Sequence, residues 1–263
     1  MSKKVAVEWI NNYDCHNTLV HEHEDAGGFF HELVNHDGWT GAFNFGDTNA
    51  WEEDFKRPDK GGTADQWIDT VDFAYFTGHG GPFVAAFFRC DVPDDDRLES
   101  DYYSGADNGD LRLGRNNLEW IAFEVCNTLQ LEADRSGITY DVFDRWAEAF
   151  QGLHIMCSFV TTSQDVATPG KYFASLCDGR WMTVIYGFPE FMIPGRFPFK
   201  VIDAWFEMAY LVQPDSVISA VMFANTEGTD TQNDYIHGHG HVSPDPRPGS
   251  AAWFMWTWIA CTC

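Results

Sequence analysis

The chain has 263 residues and a formal net charge of −24, from 40 acidic side chains against 16 basic ones. That length is ample for a buried core, and 44% hydrophobic with 16% aromatic residues marks a folded domain, not an acidic disordered tail. So negative a chain lacks the Lys and Arg patches that phosphate backbones and anionic lipid demand, which excludes nucleic acid and membrane surfaces as partners.

Residues 5–10 (VAVEWI) read as a first strand, and residues 21–34 as a helix interrupted by Gly27-Gly28. Residues 46–66 are polar and Gly-rich, which predicts a surface loop. Residues 71–77 (VDFAYFT) form the clearest early strand and stop abruptly at Gly78-His79-Gly80-Gly81. Pro82 breaks the chain before a second apolar run at 83–89, and the Asp-, Asn- and Gly-rich stretch 91–117 reads as an acidic surface insertion. Residues 118–125 (LEWIAFEV) give the next buried strand, ending at Cys126.

Residues 141–150 place Phe143, Trp146, Ala147 and Phe150 at helical spacing, and residues 153–160 (LHIMCSFV) have the unbroken apolar character of a central parallel strand. A helix over 201–212 is closed by Pro214, and residues 217–223 form a last strand. Residues 226–263 are turn-rich until the tryptophan cluster 253–258, expected to be core or a cover over the sheet. Strands alternating with helices predict one α/β domain over 1–263, with a doubly wound, mostly parallel sheet in a three-layer sandwich.

The apolar stretch 251–261 is too short to span a bilayer, and the opening residues lack the long apolar core of a signal peptide. The seven cysteines contain no CxxC pair. They are expected to be reduced thiols in a cytoplasmic setting.

Two strands end in reactive residues: 71–77 runs into His79 and 118–125 into Cys126. In open parallel sheets, ligands bind where the loops after the strands converge, so both side chains are expected in one cleft. An imidazole beside a thiol supports a thiolate nucleophile and protonates its leaving group. The amides of Gly80 and Cys126 are then placed to hold the oxygen of a tetrahedral intermediate. Asn12, Asp14 and His16, just past the first strand, are expected to open towards the same cleft.

The string FAYFTGHGG and the triplet Glu124-Val125-Cys126, 47 residues from His79 to Cys126, resemble the His-Gly and acidic-x-Cys motifs of the caspase-like cysteine peptidase superfamily, metacaspases and legumains in particular. The chain is also similar to a family of compact caspase-like domains in which the GHG segment, the LEW strand before Cys, the segment from Trp146 to His154 and the Asn233-Asp234 pair recur. The resemblance implies a caspase-like fold, with His79 as general acid/base, Cys126 as nucleophile, Gly80 and Cys126 amides as oxyanion hole, and Glu124 facing the specificity pocket. It also implies a contribution of Asn12 and Asp14 to substrate recognition.

The expected activity is acyl transfer or hydrolysis at a peptide or amide bond, without a cofactor. Two alternatives stand beside it. One is a small-molecule cyclase or lyase using His79 as acid or base, and the other a non-catalytic binding domain. Asn127-Thr128-Leu129 after Cys126 departs from the small or Gly-rich continuation of the peptidases.

Three further clusters read as structural. His21 and His23 with Glu22 and Glu24 point apart on a helix and are expected on a solvated face. His237, His239 and His241 sit in a Gly-rich loop without an evident fourth ligand, so no metal site is expected there. The acidic run 91–110 lacks the spacing of an EF-hand and reads as solvated rather than calcium-binding.

Overall fold

The computed structural model describes residues 3–88, 97–246 and 253–260. In chain order the elements are β1 (Lys4–Trp9), α1 (Glu22–His36), β2 (Thr40–Gly46), β3 (Phe73–Thr77), β4 (Gly80–Gly81), β5 (Val84–Ala86), β6 (Arg97–Glu99), β7 (Trp120–Glu124), β8 (Glu132–Arg135), β9 (Ile138–Asp141), α2 (Val142–Trp146), β10 (Ile155–Phe159), α3 (Pro169–Asp178), α4 (Trp181–Ile185), α5 (Val201–Val212), β11 (Ile218–Asn225) and β12 (Trp253–Ala260).

Seven strands build the central sheet in the order β12-β11-β10-β7-β3-β1-β2. The run from β10 to β2 is parallel throughout, while β11 is antiparallel to both β10 and β12. Strands β3, β7 and β10 are buried along their whole length, so both faces need apolar side chains. Alternate residues serve the two faces. Val7, Phe73, Tyr75, Trp120 and Ala122 pack with Phe29, Phe173, Trp205 and Met208 of α1, α3 and α5. Ala6, Ala74, Phe76, Ile121 and Phe123 pack beneath Phe55, Ile68, Phe87 and Trp146 on the opposite face. The result is the three-layer α/β architecture expected from the sequence.

The path of the chain sets the position of a cleft. From β1 it moves outward to β2, then crosses to β3 on the other side of β1. The loops after β1 and β3 therefore leave in opposite directions and open a crevice at their carboxyl ends.

Several expectations are corrected. Residues 46–66 do not lie free on the surface: Phe55 and Ala64 are buried, with Phe55 against Phe76, Phe87 and Phe123. The aromatic run at 253–258 forms β12, an edge strand with Trp253 and Trp258 exposed, not a cover over the sheet. Of the acidic insertion, residues 91–96 lie outside the described residues. In the remainder, Asp101 and Asp110 are buried and paired with Arg112 (3.1 Å) and Lys60 (2.7 Å), so cationic side chains, not solvent, balance them. Cys15 is disulfide-bonded, which corrects the expectation of seven reduced thiols; Cys126, Cys157 and Cys177 are free, and Cys90, Cys261 and Cys263 lie outside the described residues. Among the described residues no helix is long and apolar enough to cross a membrane.

Candidate functional site

Strands β3 and β7 are adjacent and parallel, with Thr77 opposite Glu124 as the last registered pair. His79 and Cys126 each follow two residues later, past neighbouring strand ends. The Gly78 N–H donates to the Glu124 carbonyl (3.4 Å) and holds the two ends together. The glycines beside His79 are there for close approach. A Cβ on Gly80 would stand 2.6 Å from Val125 Cγ2, and one on Gly78 would stand 2.6 Å from Tyr13 Oη.

His79 is fixed by the loop after β1. Its backbone N–H donates to Tyr13 Oη (2.7 Å), and its Nε2 lies 2.7 Å from the Asn17 carbonyl. A carbonyl only accepts, so Nε2 carries the proton and Nδ1 is left as the acceptor. The His79 ring leans on Tyr13 (centroids 4.8 Å apart) and on His16 (5.8 Å). Burial, with the His79 ring beside it, lowers the His16 pKa, and burial raises that of Tyr13, which is a neutral phenol at any physiological pH.

Cys126 is half-buried at a sharp turn in which Asn127 adopts a left-handed conformation (φ +62°), one that Asn tolerates better than most residues. The Asn127 N–H donates to the Thr161 carbonyl (3.1 Å) and ties this turn to the loop after β10. Cys126 Sγ lies 3.7 Å from Ser163 Oγ and 3.9 Å from the Ser163 carbonyl. His79 and Cys126 thus share one end of the sheet, and in this structure each is bonded to a different loop, not to the other.

Beneath the strand ends lies a bed of carboxyl groups. Glu22, Asp25 and Glu124 are buried with one oxygen each within 4.8 Å of the others. The Thr77 hydroxyl bonds Glu22 and lies 3.3 Å from Glu124 Oε2. Asp25 accepts from the Tyr75 hydroxyl (2.8 Å) and the Gly170 N–H (2.5 Å), and Gln213 reaches Glu124 Oε1 (3.4 Å). Burial, and then mutual repulsion, raises the pKa of Glu22 and Glu124; burial raises that of Asp25 against its two bonds. Protons and hydroxyls hold this bed together. The expectation of a solvated face is corrected at Glu22, since the acidic start of α1 turns into the core.

The pocket beside His79 holds about 290 Å³ and is lined by His16, Asn17, His79, Gly80, Val84 and Ala86. Gly80 begins β4, opposite Ala85 of β5. Glu124 is buried in the carboxyl bed and does not line this pocket. Neither do Asn12, whose amide donates to Asp47 (2.9 Å), and Asp14, whose backbone donates to Phe88 (3.2 Å) while its side chain is exposed.

Tyr13, Asn17 and Ser163 join the site without having been singled out in the sequence. Asn17 contributes only a carbonyl, which its residue type does not announce. Ser163 was reachable, because the loop after β10 ends at the same edge as those after β3 and β7. Glu22 and Asp25 were reachable too: the buried stripe Leu33, Phe29 and Ala26 continues backward at helical spacing onto both.

No curated protein matches the chain. Among solved structures it is similar to caspase-1 from Spodoptera frugiperda, at 10% identity, with 97% of this chain and 88% of that one covered and a TM-score of 0.39. A family model matches residues 7–259, and the chain belongs to that family, described as a domain of unknown function, DUF6345.

Proposed function

We propose that the chain is a cysteine-dependent acyl-transfer enzyme, hydrolysing a peptide or amide bond with Cys126 as nucleophile and His79 as general acid/base. The observation that carries this reading is the bond from His79 Nε2 to the Asn17 carbonyl at 2.7 Å. A general base needs a third group to fix its tautomer and orientation, and this carbonyl leaves Nδ1 as the proton acceptor, on a strand end adjacent to that of Cys126. The His-Gly and acidic-x-Cys motifs supply the same pair of residues independently of geometry.

In the reaction, Nδ1 takes the thiol proton and the thiolate adds to the substrate carbonyl, moving an electron pair onto its oxygen. Amide N–H groups of Gly80 and Cys126 stabilise that oxygen. The imidazolium returns its proton to the departing nitrogen as the C–N bond breaks. Water, deprotonated by Nδ1, then cleaves the thioester and restores the thiol. The thiol must leave Ser163 to meet the imidazole, and catalytic hydrogen bonds of this kind commonly form only when substrate is bound. Among the described residues the pocket beside His79 is lined by no carboxylate, and its size suits one substrate side chain; Glu124, which would favour a basic or amide-bearing group if it lined the pocket, lies in the carboxyl bed instead.

The test is turnover of a panel of fluorogenic peptidyl amides by wild type, Cys126→Ala and His79→Ala. The reading expects both variants to fall by about a thousandfold or more, since residues acting as one unit fail together. Activity that survives Cys126→Ala but is lost in His79→Ala would instead support the small-molecule reading centred on His79. The Cys126–Ser163 contact favours it, because it draws the thiol away from a nucleophile's role.

A further inference from the structure

A second constellation stands at the opposite end of the sheet, where the parallel strands begin. Asp72 immediately precedes β3 and Glu119 immediately precedes β7, while the loop after β11 folds back to bring in His237. His237 Nε2 lies 2.7 Å from Glu119 Oε2 and 3.7 Å from Asp72 Oδ1. One ligand atom from each residue falls within 4.8 Å of the other two. All three line a cavity of about 570 Å³, together with Asn116, Asn117, Gly238, Asp245 and Lys3, whose ammonium is drawn aside by Asp37 (3.1 Å).

The three side chains are mounted on rigid backbone. The Asp72 carbonyl accepts from the N–H groups of Glu119 (3.1 Å) and Trp120 (3.2 Å), and the Glu119 carbonyl from those of His154 (2.8 Å) and Ile155 (3.2 Å). The Lys4 N–H holds Asp72 Oδ2 at 2.6 Å, leaving Oδ1 turned to His237. The His237 ring stands edge-on to Trp120, with centroids 5.1 Å apart. Behind it, His154 and Asp234, two residues of the motifs singled out in the sequence, meet in the core with Nδ1 and Oδ2 2.6 Å apart. His154 Nε2 then reaches Asp245 (3.3 Å) at the cavity wall, and Asp234 Oδ1 takes the Ser243 N–H (2.7 Å), which pins the loop that carries His237.

We propose that Asp72, Glu119 and His237 bind a divalent transition-metal ion, with zinc as the best-matched member. One imidazole nitrogen and two carboxylate oxygens suit a borderline cation better than calcium or magnesium, which take oxygen ligands alone. Three protein ligands with a fourth position facing a cavity form the open kind of zinc site, one that can accept water or an oxygen-bearing ligand. The ion displaces the proton shared by His237 and Glu119. Where the sequence leads to no metal site at His237, His239 and His241, the structure still does not bring the three together: His239 is committed to Asp37 (2.7 Å) and His241 is exposed, so His237 alone of the three is assigned as a ligand. It is independent of the Cys126–His79 reading and stands or falls separately.

The experiment is calorimetric titration of EDTA-stripped protein with zinc chloride, paired with cobalt(II) absorption spectra. It compares wild type, His237→Ala, Glu119→Gln and Asp72→Asn, with His239→Ala as a control in the same loop. Wild type and His239→Ala are expected to take up one ion with a cobalt spectrum lacking a thiolate charge-transfer band. Loss of a direct ligand should weaken binding by about tenfold or more, the lower end of what even an outer-shell change does. Glu119→Gln and Asp72→Asn keep side-chain shape, so they report even where His237→Ala fails to fold. Equal affinity in the ligand variants and the control, no saturable binding by wild type, or a thiolate spectrum would each overturn the proposal.

Discussion

At the scale of single residues, the cleft depends on contacts too close for substitution. Gly80→Ala would place a methyl group against Val125, which is fully buried and one residue from Cys126. The variant is expected to fold but to lose turnover by about tenfold or more, because a small misplacement of a reacting group is enough for that. A kcat loss with an unchanged far-ultraviolet circular dichroism spectrum would bear this out. Tyr13→Phe removes the acceptor of the His79 N–H, and leaving such a group without a partner costs about 1–3 kcal/mol. Urea unfolding should register that loss, and the His79 loop should exchange its amide protons faster.

At the scale of elements, what the sequence made legible follows from burial. Strands β1, β3, β7 and β10 are covered on both faces, so their sequences are apolar runs broken only by single polar residues such as Glu8 and Ser158, and they need no knowledge of the fold to find. Strand β2 (TGAFNFG) escaped because it is an edge strand, mostly exposed and interrupted by glycines and Asn44. Helix α3 escaped because it opens on Pro169-Gly170, which reads as a turn, although Pro is well placed in the first turn of a helix. His79 and Cys126 were legible as strand-end residues, and β3–β7 pairing brings those two strand ends together. Which partner each side chain takes was not, since that depends on the Asn17 backbone and on Ser163 in loops of no regular pattern.

The carboxyl bed between α1 and the sheet gives a prediction at the same scale. Glu22 and Glu124 have pKa values raised by burial, so the folded state keeps protons that the unfolded chain has lost above its ordinary carboxyl range. Their contribution is therefore fully present at low pH and falls as pH rises through and beyond about 4.5. Glu22→Gln is expected to gain on wild type, by on the order of 1–3 kcal/mol, as pH rises from about 5 to 8. Chemical denaturation at both pH values measures it, and a constant difference would contradict the buried, protonated assignment.

At the scale of the whole molecule, the acid bed is not alone. Burial opposes the charge on His154, but its bonds to Asp234 and Asp245 prevail and raise its pKa from 6.5 to about 9. That contribution is fully present below pH 6.5 and is lost as pH rises through about 9. The net charge of −24 adds self-repulsion of the same sign above neutrality. The protein is expected to be most stable on the mildly acidic side. Asp234→Asn should remove much, but not all, of the decline between pH 6.5 and 9, since Asp245 and Glu119 also raise this pKa; the whole of it is on the order of 3 kcal/mol. A stability maximum above pH 8 would be incompatible with this balance.

The central claim is that Cys126 is a nucleophile activated by His79, and alkylation tests it without knowledge of the substrate. Wild type and His79→Ala are treated with iodoacetamide across pH and each cysteine is followed by peptide mass spectrometry. Burial raises the pKa of Cys157 and Cys177, so these two free thiols serve as unreactive internal references. The account predicts selective modification of Cys126 below about pH 7, abolished in His79→Ala. Modification of Cys126 with the pH profile of an ordinary thiol, unchanged by the loss of His79, would contradict it.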